Sequence, residues 1–262
     1  MPIETDVLTY TLAAAIVYVT VVWGVSLKLR DSSIMDIAWG PGFMLVGAVA
    51  WGVEHPLGWR PAVLGALVMI WAVRLAEHIR VRNHARGEDP RYAAWRAEAG
   101  KAWWWRSWFK VFALQAVILW LVSAPIQAVL SKGGPLSVTG WDIAALVLWV
   151  IGFLFEAVAD WQLLMHRRDH RNRGRIMDRG LWRYSRHPNY FGETVLWCGY
   201  ALVAFSMPGG WMTVAGPVLM IWLILRVSGV TMLERFMKSS RPGYAAYAQR
   251  TPAFFPWFPK DD

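Results

Sequence analysis

The sequence predicts an all-α integral membrane protein of seven transmembrane helices, with its N-terminus outside and its C-terminus in the cytoplasm. Three observations predict it. Hydrophobic residues make up 56% of the 262 and charged residues 17%, with a mean hydropathy of +0.31, a balance that suits a chain solvated by lipid. The apolar residues fall into segments of about the length that crosses a hydrocarbon core. The basic residues lie between those segments and mainly on one side, as the positive-inside rule requires.

The first segment, Val7–Ser26, follows Glu4 and Asp6 and not a basic stretch, so a first span is expected and not a signal peptide. The second, Ser33–Val53, carries Asp36 a turn from its start, and the third, Trp59–His78, ends in Arg74, Glu77 and His78. Before the fourth, Phe112–Leu130, Trp103, Trp104, Trp105 and Trp108 stand beside Arg106 and Lys110, the mixture of a helix lying at headgroup depth. The fifth, Trp141–Leu164, holds Glu156 and Asp160; the sixth and seventh are Asn189–Met207 and Trp211–Val230. Alternate loops then decide the orientation. Residues 27–32 hold two Lys or Arg, 80–110 eight, 165–188 eight and the tail after 231 five, against Arg60 and Lys132 on the other side.

Other classes fall away on distribution. The net charge of +9 is explained by those loops, so no nucleic acid is expected. Cys198 is the one cysteine and lies in an apolar stretch, which leaves no intrachain disulfide. His166 and His170 have i,i+4 spacing, but their arginine neighbours oppose a cation, and no metal is expected. GPGF after Trp39 lacks the third glycine and the preceding strand of a dinucleotide fingerprint. Any nucleotide is therefore expected on helices and loops. No repeat, low-complexity tract or soluble domain appears, so residues 1–262 read as a single membrane domain.

Ionisable residues inside spans are costly and mark function or structural pairing. Asp36, Arg74, Glu77, His78, Glu156 and Asp160 all fall near the expected cytoplasmic ends of their helices. The structural reading pairs Arg74 with Glu77 or Asp36; the functional reading makes them converge on a large ligand. Downstream of Asp160 run Arg167, Arg168, Arg171, Arg173 and Arg175. Topology explains part of that run, and a polyanionic cofactor gripped by guanidinium forks explains the rest.

The densest cluster is GLWRYSRHPNYFGETVLWCGY, Gly180 to Tyr200. Pro188 reads as the first residue of a helix, and Asn189 and Glu193, four apart, share its face. Tyr184, Arg186, His187 and Tyr190 crowd round the proline, and a helix start flanked by arginines is a good phosphate site.

This cluster resembles the C-terminal signature of the steroid 5α-reductase family, in its bacterial branch. The resemblance takes in Ser33–Trp39, the Arg82–Tyr92 loop with GEDPRY, and above all Phe155–Pro256. It implies a bacterial inner-membrane enzyme that binds NADPH from the cytoplasmic side, mainly through residues 80–110 and 155–256. The implied reaction is hydride transfer to the β-carbon of an enone such as a 3-oxo-Δ4 steroid, and the implied partners are a lipophilic small molecule and membrane lipid. By position, the cofactor residues are Asn83, Arg91, Asp160, Arg167, Arg175, Arg186, His187, Asn189, Tyr190 and Tyr247. Tyr184 belongs to the nicotinamide grip, and Glu193 positions the nicotinamide amide. Glu156 stands where the animal enzymes have an asparagine. Their substrate-holding glutamate and tyrosine have no clear counterpart: Asp36 and Trp39 occupy that stretch of the second span, and Arg74 to His78 that of the third. Asp36 is the expected hydrogen-bond partner of the ketone. The rival is an S-adenosylmethionine-dependent membrane methyltransferase of the isoprenylcysteine or phospholipid type, which shares the RHPxY run and the later glutamate. The arginines beside Asp160 favour a cofactor with phosphates.

Overall fold

The computed structural model describes residues 3–84, 87–227 and 229–260. Among the described residues all regular structure is helical. Six helical stretches are long and apolar enough to cross a membrane, Thr5–Leu29, Ile34–Glu54, Trp59–Asn83, Pro90–Val122, Gly140–Arg168 and Gly210–Ser240, and they mark an integral membrane protein. The segment expected as the sixth span is the 17-residue helix Pro188–Ala204, at the short end of what crosses a bilayer. The chain divides into two compact units, one running to Val138 and taking in Ala204–Gly216, the other holding Thr139–Val203 and the chain from Pro217.

In the first unit, α1 (Thr5–Leu29) and α3 (Trp59–Asn83) both pack on α2 (Ile34–Glu54). Pro41 sits inside α2, where it supplies no N–H to the carbonyl one turn back. At Gly40 a Cβ would lie 2.8 Å from the Ala72 carbonyl oxygen of α3. The GPGF stretch is thus a place where two helix backbones touch, as small residues allow in membranes. α4 (Pro90–Ala99) starts with Pro at its first position and Asp89 as its cap, the carboxylate accepting from the Arg91 N–H at 2.9 Å. α5 (Trp103–Ser107), a π-helical turn at Trp108–Ala113 and α6 (Leu114–Val122) continue the run.

The expected fourth span, Phe112–Leu130, is not one helix. It breaks at Ser123, and α7 (Ala124–Lys132) starts anew. Pro125 has no N–H to offer the Leu121 carbonyl, and its ring crowds that oxygen. Side chains satisfy the groups freed at the break: Gln127 Nε2 donates to the Trp120 carbonyl and to Ser123 Oγ, both at 2.8 Å, while its Oε1 accepts from Thr11 at 2.9 Å. A break at membrane depth persists only when its backbone is satisfied in this way. The apolar length is made up upstream, by the helical run that begins at Pro90.

The two cations expected on the far side are both engaged. Arg60 is 1% exposed and donates to the carbonyls of Gly133, Pro135 and Ser137, and Lys132 pairs with Glu4.

In the second unit, α8 (Gly140–Arg168) starts on a capping box in which Asp142 accepts from the Thr139 N–H at 2.8 Å and the Thr139 side chain answers at 3.4 Å. α9 (Pro188–Ala204) runs antiparallel to it. A Cβ on Gly152 would lie 2.4 Å from the Leu196 nitrogen, and one on Gly192 equally close to the Glu156 nitrogen. α10 (Ala215–Trp222), a π-helical turn at Leu223–Val227, α11 (Val230–Ser240) and α12 (Tyr244–Arg250) complete the chain's helices among the described residues.

Candidate functional site

The sequence brings Asp160 and Asn189 together by three local devices. Gly180 takes a left-handed φ of 58°, which favours glycine. A Cβ there would also strike the Gln162 amide at 2.5 Å. The Gln162 side chain accepts from the Leu181 N–H at 3.0 Å, and Trp182 donates its indole N–H to the Ala159 carbonyl at 3.0 Å. The loop is so fixed on α8, and Pro188 then opens α9 with Asn189 in reach of Asp160. The glycine contacts hold the two helices at backbone distance.

The result is a hydrogen bond of 3.1 Å from Asn189 Nδ2 to Asp160 Oδ1. Asp160 is 6% exposed. The other half of the Asn189 amide is the informative atom: Oδ1 is buried and has no donor among the described residues. A buried acceptor left unmatched costs about 1–3 kcal/mol. It is what a ligand N–H would satisfy. Glu193 lies one turn further along α9, half-buried, and Tyr190 half-buried beside it. Arg167 and Arg175 are exposed at and beyond the end of α8. Arg173 and Arg175 have no carboxylate within ion-pair distance among the described residues, whereas Arg171 pairs with Asp169 at 3.2 Å. A nucleotide with phosphates therefore fits this unit: free guanidinium groups, an acid, and an unmatched buried acceptor occur within it.

Arg186 and His187 have other company. Arg186 meets both oxygens of Glu234, at 2.8 and 3.1 Å, and donates to the carbonyls of Ala248 and Thr251 at 2.7 and 2.9 Å. His187, 4% exposed, places Nε2 3.0 Å from the same carboxylate and stacks on Tyr190 at 5.9 Å. Tyr244 donates to Glu234 at 2.7 Å, and burial together with that carboxylate pushes its hydroxyl well above the usual tyrosine range. Tyr247 is buried too, and its hydroxyl donates to the Trp182 carbonyl. The Arg186 N–H donates to the Pro252 carbonyl, and the Tyr184 carbonyl accepts from Trp257, both at 2.9 Å. These bonds tie the tail to the turn before α9. Tyr184 itself turns a partly exposed ring edge-on to Phe258.

The first unit contains a second polar cluster. Asp36 accepts from Tyr92 Oη at 2.8 Å and Arg91 Nη2 at 3.2 Å, and Arg91 also meets Asp89 at 2.9 Å. Gln115 Nε2 reaches Tyr92 Oη at 3.5 Å. Beside it Glu88 accepts two bonds from Arg96 at 2.8 Å and one from the Ser32 N–H at 2.6 Å. Burial raises the Glu88 pKa, but the Arg96 and Ser32 bonds outweigh it and hold the carboxyl below the usual range. Arg74, His78 and Trp39 are half-buried on α3 and α2. Trp39 packs edge-on against Phe43 at 5.2 Å. Asn83 accepts from Arg82 at 3.1 Å. Glu77 pairs with Arg80 at 2.7 Å, and Asp36 with Arg91 at 3.2 Å.

Two residues of these clusters were missed by sequence reasoning. Tyr92 sat within the GEDPRY loop without a role. Glu234 had a signal: it is the only acid between Glu193 and Asp261, among five Lys and Arg after residue 231. Among the described residues no three His, Cys, Asp or Glu side chains gather as a metal site.

An uncharacterised protein of Schizosaccharomyces pombe is 24% identical over 90% of this chain and 76% of its own length. The 3-oxo-5α-steroid 4-dehydrogenase 1 of Bos taurus is 42% identical over 62 residues, 24% of each chain, and that of Homo sapiens is 39% identical over the same length. The match thus spans about a quarter of those dehydrogenases. No solved structure matches the chain significantly. Residues 22–251 match the family described as a protein of unknown function, DUF1295, and the chain belongs to that family, which is steroid 5α-reductase-like.

Proposed function

We propose that this chain is an NADPH-dependent reductase of the bacterial cytoplasmic membrane that saturates the double bond of an enone lipid, a 3-oxo-Δ4 steroid being the type. In this reading Pro188–Ala204 is a seventh span, the arginine loops and C-terminus face the cytoplasm, and the N-terminus lies outside. The observation that carries the proposal is the buried Asn189 Oδ1 without a donor, one turn before Glu193 and bonded through its own amide to Asp160. A nicotinamide carboxamide carries the N–H that this oxygen needs. Local similarity to 3-oxo-5α-steroid 4-dehydrogenases supports the same reading.

Bound NADPH would supply the hydride for the β-carbon of the enone, and water the proton for the α-carbon. Asn189 and Glu193 hold the carboxamide, Asp160 takes a ribose hydroxyl, and Arg167, Arg173 and Arg175 meet phosphate oxygens bidentately. Arg186 and His187 act differently from direct phosphate ligands: through Glu234 and the tail carbonyls they fix the turn that aims α9, and Tyr247 holds the same turn at the Trp182 carbonyl. Tyr184 and Tyr190 flank that turn. For the ketone, a donor is needed that strengthens as charge grows on oxygen. The Asp36–Tyr92 pair, 2.8 Å apart, takes that role with Asp36 as a carboxylic acid: its proton bonds Tyr92 Oη and frees the phenol proton for the ketone oxygen, while Arg91 holds the other Asp36 oxygen. Trp39, Arg74 and His78 are the proposed substrate contacts.

The test is NADPH consumption by the detergent-purified protein with progesterone, with S-adenosylmethionine binding measured in parallel. The expected product is two hydrogens heavier. Asn189→Leu should weaken NADPH binding about tenfold, the cost of a bond to a buried acceptor, and Asp36→Ala should abolish turnover. Full turnover in Asp36→Ala would remove Asp36 from the ketone. Binding of S-adenosylmethionine without NADPH would replace the reductase by the methyltransferase.

A further inference from the structure

A cleft of about 450 Å³ opens in the first unit, lined in part by Trp95, Glu98, Trp105, Arg106, Phe109 and Lys110. Its wall residue Trp95 stands edge-on to Tyr92, 5.6 Å between ring centroids, and its walls are held firmly. Trp23 of α1 donates to the Trp104 carbonyl at 3.0 Å and to Ser107 Oγ at 3.2 Å, and Trp108 donates to Thr20 at 3.1 Å. The π-helical turn at Trp108–Ala113 then presents Phe109 outward, 63% exposed, next to Trp105 at 43%. Lys110 Nζ sits 4.5 Å over the Trp95 ring and the Arg106 guanidinium 5.5 Å over Trp105. Neither cation has a carboxylate within ion-pair distance among the described residues.

We propose that this cleft binds the headgroup of an anionic glycerophospholipid, with phosphate between Arg106 and Lys110 and acyl chains along Trp105 and Phe109. Exposed aromatics beside basic residues match the interfacial depth of a bilayer, where rings sit among headgroups and ammonium and guanidinium groups draw anionic lipid. A tryptophan-walled cleft also fits the quaternary ammonium of a choline lipid by cation–π attraction. Here that role is already filled: the two cations of the chain occupy the Trp95 and Trp105 faces, so a third cation meets like charge. Glu98 is the one acid in the lining, and it leaves the cleft with excess positive charge. The selected lipid is therefore one whose headgroup adds no cation to its phosphate, such as phosphatidylglycerol.

Native mass spectrometry of the whole protein, with phosphatidylglycerol or phosphatidylcholine added in detergent, tests this. Phosphatidylglycerol should bind more tightly, and the double variant Arg106→Gln, Lys110→Gln should lose roughly thirtyfold in its affinity, two charges' worth at a membrane surface. Lys238→Gln should leave it unchanged. Should the double variant not fold, raising the salt with the parent protein should weaken phosphatidylglycerol alone. Equal affinity for the two lipids, or a double variant that binds as the parent does, would overturn the assignment. So would glycerol phosphate binding as tightly as the lipid, which would make the ligand a soluble phosphate.

Discussion

Gly192→Ala should part α9 from α8 and disarm Asn189 at the same time. An alanine Cβ would lie 2.4 Å from the Glu156 nitrogen, 2.6 Å from the Gly152 oxygen and 3.0 Å from the Glu156 Cα. All three are backbone atoms of a helix, so no rotamer can relieve them. Ordinary contact begins near 3.5 Å, so the helices must separate by roughly 1 Å. Overpacking of this kind costs about 1–3 kcal/mol, and the immobile neighbours put this site at the top of that range. Asn189 is one turn away, and its 3.1 Å bond to Asp160 would stretch to about 4 Å, beyond a hydrogen bond. The measurements are unfolding of the purified protein in detergent and its NADPH affinity. Gly24→Ala is the control, because nothing lies within 4 Å of its added Cβ; it should be neutral or slightly stabilising. A Gly192→Ala protein as stable as the Gly24→Ala protein would refute the close packing of α8 and α9. One that is destabilised but binds NADPH as the parent does would refute the role of Asn189.

Two more outcomes follow from the polar clusters. Tyr247→Phe removes the donor to the Trp182 carbonyl. It should loosen the tail from the turn, at a cost of about 1 kcal/mol, and speed limited proteolysis beyond Arg250; parent-like proteolysis would count against the clamp. Glu88 has a depressed pKa, so its contribution is complete above the ordinary carboxylate range and is lost as pH falls from that range through the depressed value. The parent should lose stability in that window and Glu88→Gln should lose less, as read from melting temperature against pH.

What was legible in the sequence divides along a physical line. Helices in lipid must satisfy their own backbone, so apolar length and basic loops found the spans of α1, α2, α3 and α8 within a few residues. The same logic failed at residues 112–130, because a window of apolar residues does not register that Pro125 removes one N–H. Only the fold shows that Gln127 and Thr11, 116 residues apart in sequence, make the break tolerable.

Within the candidate site, the short-range part was legible. Asn189 and Glu193 share a face by spacing alone, and Pro188 opens the helix as its fixed φ predicts. The partners of Arg186 were not. Glu234 lies 48 residues away, and the carbonyls of Ala248 and Thr251 lie 62 and 65 away; nothing in a guanidinium tells whether it will meet a ligand phosphate or a carboxylate of its own chain. Composition still left a trace of the answer. One acid in a tail of five cations must attract the strongest donors within reach, and Arg186, His187 and Tyr244 converge on Glu234 for that reason. A lone charge opposite in sign to its surroundings is therefore a better guide to a structural hub than a run of like charges is to a ligand.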